Sequence, residues 1–148
     1  MAANTAPRYT NKGDFTSDNT SAMAPTLTTA AADYTGTSAN NKVVFTADSV
    51  NGGRLKGIHF DAIGTNTQSV ARVYVNNGST NTTATNNSLV GKVTLPGTTA
   101  SNTVAESSAD FYFPGDVADL NPGFKIYVGL ATTVAAGWVA TPILGGEF

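Results

Sequence analysis

From Asn41 onward the chain repeats one pattern: a short run rich in β-branched and aromatic residues, then a cluster of Gly, Asn, Ser or Pro. No sustained 3.6-residue period occurs anywhere, so the repeat predicts strands joined by turns rather than helices. The runs are Lys42 to Ala47, Arg54 to Ile63, Gln68 to Val75, Leu89 to Leu95, Val104 to Phe113, Gly123 to Ala131 and Trp138 to Leu144. The clearest alternation is in the sixth, where Phe124, Ile126, Val128 and Leu130 lie opposite Lys125 and Tyr127. Arg54 to Ile63 is less regular, with apolar residues on both faces. Pro142 in the last run points to an edge or a bulge, because proline cannot donate to a ladder. Seven or eight short, evenly spaced strands predict an all-β fold, an antiparallel β-sandwich of jelly-roll or Ig-like type. A Cys-Trp-Cys signature, the mark of true immunoglobulin domains, is absent.

Residues before this region look different. From Met1 to about residue 40 the chain is small and polar, broken by Pro7, Gly13, Pro25 and Gly36, with isolated large apolar residues at Tyr9, Phe15, Met23, Leu27 and Tyr34. The division predicted is an N-terminal arm or irregular lead-in over 1–40 and a β-sandwich domain over 41–148. Only Pro25 to Ala32 has the Thr-rich composition of a short edge strand. Isolated aromatics in an arm serve either to anchor it to its own domain or to reach a neighbour. Between Asn76 and Ser88 the residues are nearly all Asn, Thr, Ser, Gly and Ala, too polar to be ordered by apolar packing alone, and an exposed loop is expected.

A chain of 148 residues is long enough for one core, folding at that size burying roughly two-thirds of the unfolded surface. Charged residues make up only 12% and the net charge is -2, with eight Lys and Arg and no basic cluster. Phosphate neutralisation therefore has no footprint, and nucleic acid is not an expected partner. With no cysteine, neither disulfides nor thiolate metal sites are available. The first residues lack the basic and apolar regions of a signal peptide. No stretch approaches the ~20 apolar residues of a membrane-crossing helix. A soluble protein used where it is made is the expectation.

Candidates for chemistry are few, and no cofactor is expected. His59 is the only histidine, and no nucleophile elbow accompanies it. Its place two residues from Asp61 would put both on one strand face, as a His-carboxylate pair or half of a metal site. Asp116, Asp119 and Asn121 offer oxygen ligands of the kind calcium takes, but the spacing is not that of an EF-hand, and turn capping explains them better. Glu106 and Asp110 suit a glycosidase pair by residue type only. Gly145-Gly146-Glu147-Phe148 shares its letters with cyclic-dinucleotide synthases but lacks the α/β domain that chemistry needs. Trp138, the only tryptophan, would be exposed in a sugar-binding module and buried if it fills a core.

Two stretches resemble a known family. Arg72-Val-Tyr-Val-Asn-Asn-Gly-Ser-Thr-Asn81 and Asn86-Asn-Ser-Leu-Val-Gly-Lys-Val-Thr-Leu-Pro96 are similar to small proteins encoded among the head genes of tailed phages and prophages. Leu120-Asn-Pro-Gly-Phe-Lys-Ile-Tyr-Val128 and Thr132-Thr-Val-Ala-Ala-Gly-Trp138 agree with it. The resemblance covers about residues 53 to 148. It implies a non-enzymatic virion component, a capsid decoration or cement protein made in the bacterial cytoplasm and carried on the capsid surface. Its partner would be the phage major capsid protein, and a homo-oligomer, foremost a trimer, would bridge neighbouring capsomers. Arg8, Tyr9 and Phe15 in the arm are the expected contact residues, since an extended arm can invade a neighbour or add a strand to a sheet edge. A tail or head-fibre subunit and a carbohydrate-binding or adhesin module are the alternatives.

Overall fold

The computed structural model describes residues 12–13, 24–143 and 146–147. Its strands are β1 (Lys12–Gly13), β2 (Thr26–Leu27), β3 (Lys42–Thr46), β4 (Gly53–Leu55), β5 (Gly57–Ala62), β6 (Ser69–Asn76), β7 (Asn87–Leu95), β8 (Ser108–Tyr112), β9 (Ala118–Leu120), β10 (Lys125–Leu130), β11 (Trp138–Ile143) and β12 (Gly146–Glu147). One turn of 3-10 helix, Ala84–Asn86, precedes β7. The fold is all-β, and every strand pairing is antiparallel. Two four-stranded sheets carry most of the chain: sheet one in the order β3-β10-β6-β7 and sheet two in the order β2-β11-β5-β8. A third, of short strands, runs β1-β12-β4-β9.

The eight strands of the two main sheets pair from the outside inward. In chain order, the first (β2) lies beside the last (β11), the second (β3) beside the seventh (β10), the third (β5) beside the sixth (β8), and the fourth (β6) beside the fifth (β7). That is one long hairpin whose tip is the connection between β6 and β7, folded over so that β11 also joins β5 and β10 joins β6.

Alternation along the strands sends one apolar set inward. Ala71 and Val73 of β6, Ile126, Val128 and Leu130 of β10, and Val44 of β3 meet Leu27, Ile58, Phe60, Phe111, Trp138 and Ala140 of sheet two in a single buried cluster. The alternation expected from Ile126 to Leu130 is the one observed, with Phe124 packed at its margin.

The irregular run from Arg54 to Ile63 is two strands, not one. Leu55 and Ile58 both join the one core cluster, three positions apart, whereas residues an odd number apart on an unbroken strand face opposite sides. The parity changes at Lys56, between β4 and β5. Hydrogen bonding continues through the break: the Lys56 N–H donates to the Ile143 carbonyl at 3.1 Å, and the Phe113 N–H donates to the Lys56 carbonyl at 3.1 Å. The order β12-β4-β9 therefore repeats β11-β5-β8, and the third sheet is a bent extension of the second. The run beginning at Val104 also differs from expectation. Val104 is exposed and pairing starts only at Ser108. Pro142 sits in β11 where β2, which reaches only Trp138 and Val139, no longer covers that side, so its missing N–H costs no ladder bond.

Part of the segment assigned to the lead-in from sequence is built into the sheets: Thr26–Leu27 pairs with β11 and Ala30 bridges to Leu130. Leu27 of β2 is buried, inside the stretch expected to be a short edge strand. The chain then crosses to sheet one: the Val134 N–H donates to the Thr28 carbonyl at 2.9 Å and the Ala31 N–H to the Leu130 carbonyl at 2.7 Å. A few apolar side chains and an edge partner suffice to hold a segment whose composition is mostly polar.

Candidate functional site

Beyond Ala31 the chain forms a strap over the outer face of sheet one. Because Ala71 and Val73 point inward, Arg72 and Tyr74 point out, and the strap covers them. Arg72 Nη1 donates to the carbonyls of Ala31 (3.3 Å) and Asp33 (3.1 Å), and the Tyr74 hydroxyl donates to the same Asp33 carbonyl at 2.9 Å. Tyr34 lays its ring over the guanidinium, 4.0 Å from Cζ to the ring centroid, a cation–π contact that suits the flat, weakly hydrated arginine head. Arg72 is 7% exposed while Tyr34 is 61% exposed.

Among the described residues the Asp33 carboxylate shapes the strap and pairs with no cation. Its Oδ2 accepts from the Thr35 hydroxyl (3.0 Å), the Thr37 N–H and hydroxyl (2.6 and 2.9 Å) and the Ser38 N–H (3.2 Å). Partial burial works to raise its pKa, but the donors from Thr37, Thr35 and Ser38 outweigh burial and hold it below the ordinary aspartate value. Burial, with Asp33 nearby, raises the pKa of the Tyr74 hydroxyl.

The loop expected to be exposed between β6 and β7 is tied to this strap by asparagine amides. Asn81 Nδ2 donates to the carbonyls of Gly36 and Ser38 at 3.1 Å each, and Asn87 Nδ2 donates to Thr35 at 3.1 Å and Asn81 at 2.7 Å. Gly36, at φ 75°, passes so close to the Tyr74 ring that a Cβ would meet it at 3.0 Å. Hydrogen bonds thus supply the order that apolar burial cannot. Asn66 plays a similar part elsewhere: buried, it accepts from the N–H groups of Ala136 and Gly137 and donates to the Gly137 carbonyl, clamping the turn before β11.

Beside the strap lies an open pocket of about 310 Å³, lined by Tyr34, Val70, Arg72, Lys92, Val93, Thr94 and Ala131. Arg72 and Lys92 are cross-strand partners on β6 and β7. Among the described residues, no carboxylate forms an ion pair with either cation. Arg72 Nε is buried without a hydrogen-bond partner. Sequence reasoning missed this site because Arg72 and Lys92 are 20 positions apart and only the register of β6 on β7 places them side by side.

His59 lies on the outer face of sheet two, which no strap of the described residues covers. Its partner is Asp110, not Asp61: Nδ1 to Oδ1 is 2.6 Å, and the two residues are opposite one another on β5 and β8. A directly opposed cross-strand neighbour is closer than a residue two positions along the same strand. Both side chains are about two-fifths exposed, a setting in which ion pairs contribute little.

The other candidates separate. Glu106 lies before β8 and accepts from the Ser101 N–H at 3.3 Å, so it does not share a strand with Asp110. Asp119 sits on β9 in a two-bond pair with Arg54 (2.6 and 3.2 Å). Asp116 occupies a turn at φ 66°, and the Asn121 carbonyl accepts the Phe124 N–H. No group of three or more His, Cys, Asp or Glu placed to hold a metal occurs among the described residues. Trp138 is fully buried, which removes it as a sugar-stacking platform. Arg8, Tyr9 and Phe15 lie outside the described residues.

No helix of the described residues is long and apolar enough to cross a membrane. Comparison with protein-family models, curated proteins and solved structures gives no match.

Proposed function

We propose that the chain is a non-catalytic structural protein of a virion, a decoration or cement protein that binds the outside of a tailed-phage capsid through a jelly-roll β-sandwich. The strand order carries this reading. First-with-last through fourth-with-fifth pairing across two four-stranded sheets fits a jelly roll, an architecture common in viral capsid and lectin domains. It does not fit an immunoglobulin-like sandwich, in which the first two strands share a sheet.

The stretches that resemble the phage-head family also support it. Arg72 to Asn76 lies in β6, Asn87 to Leu95 is β7, and Lys125 to Val128 lies in β10, three adjacent strands of sheet one. Such a protein would assemble as a homo-oligomer, foremost a trimer, on the major capsid protein. It would be made in the bacterial cytoplasm, act without a cofactor and be carried on the capsid surface. Arg8, Tyr9 and Phe15 of the arm are the proposed contacts, next to a segment that already adds β1 to the edge of the third sheet.

Co-sedimentation of the purified protein with undecorated mature phage heads tests the proposal, together with its mass in solution. Saturable binding at a stoichiometry set by the capsid lattice is the expected result. Failure to bind heads at any concentration would overturn it.

A further inference from the structure

We propose that the pocket between the strap and β7 binds the carboxylate of a small acidic sugar. Three independent features of the pocket converge on that chemistry. The first is uncompensated positive charge. Arg72 is nearly buried, yet among the described residues its charge is met only by the dipoles of two carbonyls and the face of Tyr34. A buried cation is ordinarily paired. Its Nη1 is occupied by those carbonyls, whereas among the described residues Nη2 has no hydrogen-bond partner, and Lys92 stands directly across the strand pair. Two adjacent cations with free donors fit a carboxylate, through charge-assisted hydrogen bonds.

Shape is the second. At about 310 Å³ the pocket is at the small end of ligand sites, large enough for one sugar residue. Its walls are the third. Tyr34 is clamped on one side by the guanidinium and otherwise exposed, offering a rigid ring to the C–H face of a sugar. Val70 and Ala131 supply further apolar wall, and Thr94 supplies a hydroxyl. An inorganic anion would use the cations and leave the ring idle, while a neutral sugar would use the ring and leave the cations unpaired. The site is independent of the capsid reading, since it is built within one copy of the chain on the face of sheet one.

The test is an NMR titration of the full chain with sodium glucuronate, its methyl ester and methyl glucoside, read at the backbone amides of Tyr34, Arg72, Lys92 and Thr94. Glucuronate is expected to give saturable shifts confined to those positions and their neighbours. Loss of the charge in the ester, or of one cation in Lys92→Gln, is expected to weaken binding about tenfold or more, the scale of one charge-assisted hydrogen bond. Tyr34→Ala should weaken binding of the sugar more than binding of acetate. Lys92 is exposed on a strand edge, so that variant keeps the fold, and an unchanged spectrum elsewhere verifies it. Equal binding of the ester, indifference to Lys92→Gln, or absence of saturable shifts overturns the proposal. Binding of N-acetylaspartate amide with no response to glucuronate overturns the sugar and makes the occupant an acidic side chain of a protein.

Discussion

Asp33 and Trp138 show how single residues act in this fold. The donors gathered on the Asp33 carboxylate lower its pKa, so the folded state holds the ionised form more tightly than the unfolded chain does. The stability from this is present above the unfolded aspartate value of about 4 and is lost as pH falls through the lower folded value. The amides of Thr37 and Ser38 are therefore expected to titrate in NMR spectra with a midpoint below that of free aspartate; a midpoint at or above it would show that the donors do not govern the group. Asp33→Ala, which strips the partners from two N–H groups, should cost about 1 kcal/mol in urea denaturation. At Trp138 the ring is fully buried while its Nε1 has no hydrogen-bond partner among the described residues. Trp138→Ala should lose about 3–5 kcal/mol through the cavity it leaves. Trp138→Phe removes an unsatisfied donor along with part of the ring, and should lose well under half as much. Denaturant midpoints followed by circular dichroism compare the two.

At the scale of elements, the strap and β2 behave as parts of the domain although their composition resembles the arm before them. Deleting residues 1–24 removes β1 from the rim of the third sheet, and the remaining chain is expected to keep its circular dichroism and cooperative melting, with weakened head binding. Deleting 1–41 also removes Leu27 and Ala31 from the interior and uncovers Arg72 and Tyr74. That chain should melt without cooperativity or fail to fold; a cooperative transition would mean the strap is dispensable. The same scale explains which strands were legible. The β10 alternation was plain because one face is core and the other is not. The span from Arg54 to Ile63 was misread as one strand because a break at Lys56 switches the buried parity, and only the pairing with Ile143 and Phe113 reveals it. His59 was matched to the wrong carboxylate for a related reason, since register on β8 rather than sequence spacing chose Asp110.

For the molecule as a whole, the outside-in pairing predicts that closure is the slow step of folding. Leu27 must find Trp138, and Lys42 must find Val128, before either main sheet is complete. Loops of that length cost entropy before contacts reward it, so refolding should take milliseconds to seconds, the range of all-β domains. Stopped-flow fluorescence of Trp138, the only tryptophan and a buried one, measures it directly. Refolding in microseconds would imply that the distal strands do not have to meet in the rate-limiting step.

What the sequence determined by itself is what local periodicity and turn chemistry encode: the all-β class, most strand positions, the proline at a locally unpaired side, and a polar loop between β6 and β7. What only the tertiary structure decided is everything set by register between distant strands. This includes the order of the sheets, the bend at Lys56, the partner of His59, the asparagine bonds that order the polar loop, and the meeting of Tyr34, Arg72 and Lys92. The physical reason is that alternation tells a residue which face it occupies, whereas its neighbours on that face are chosen by pairings more than a hundred residues away, as between Leu27 and Trp138, which no local pattern records.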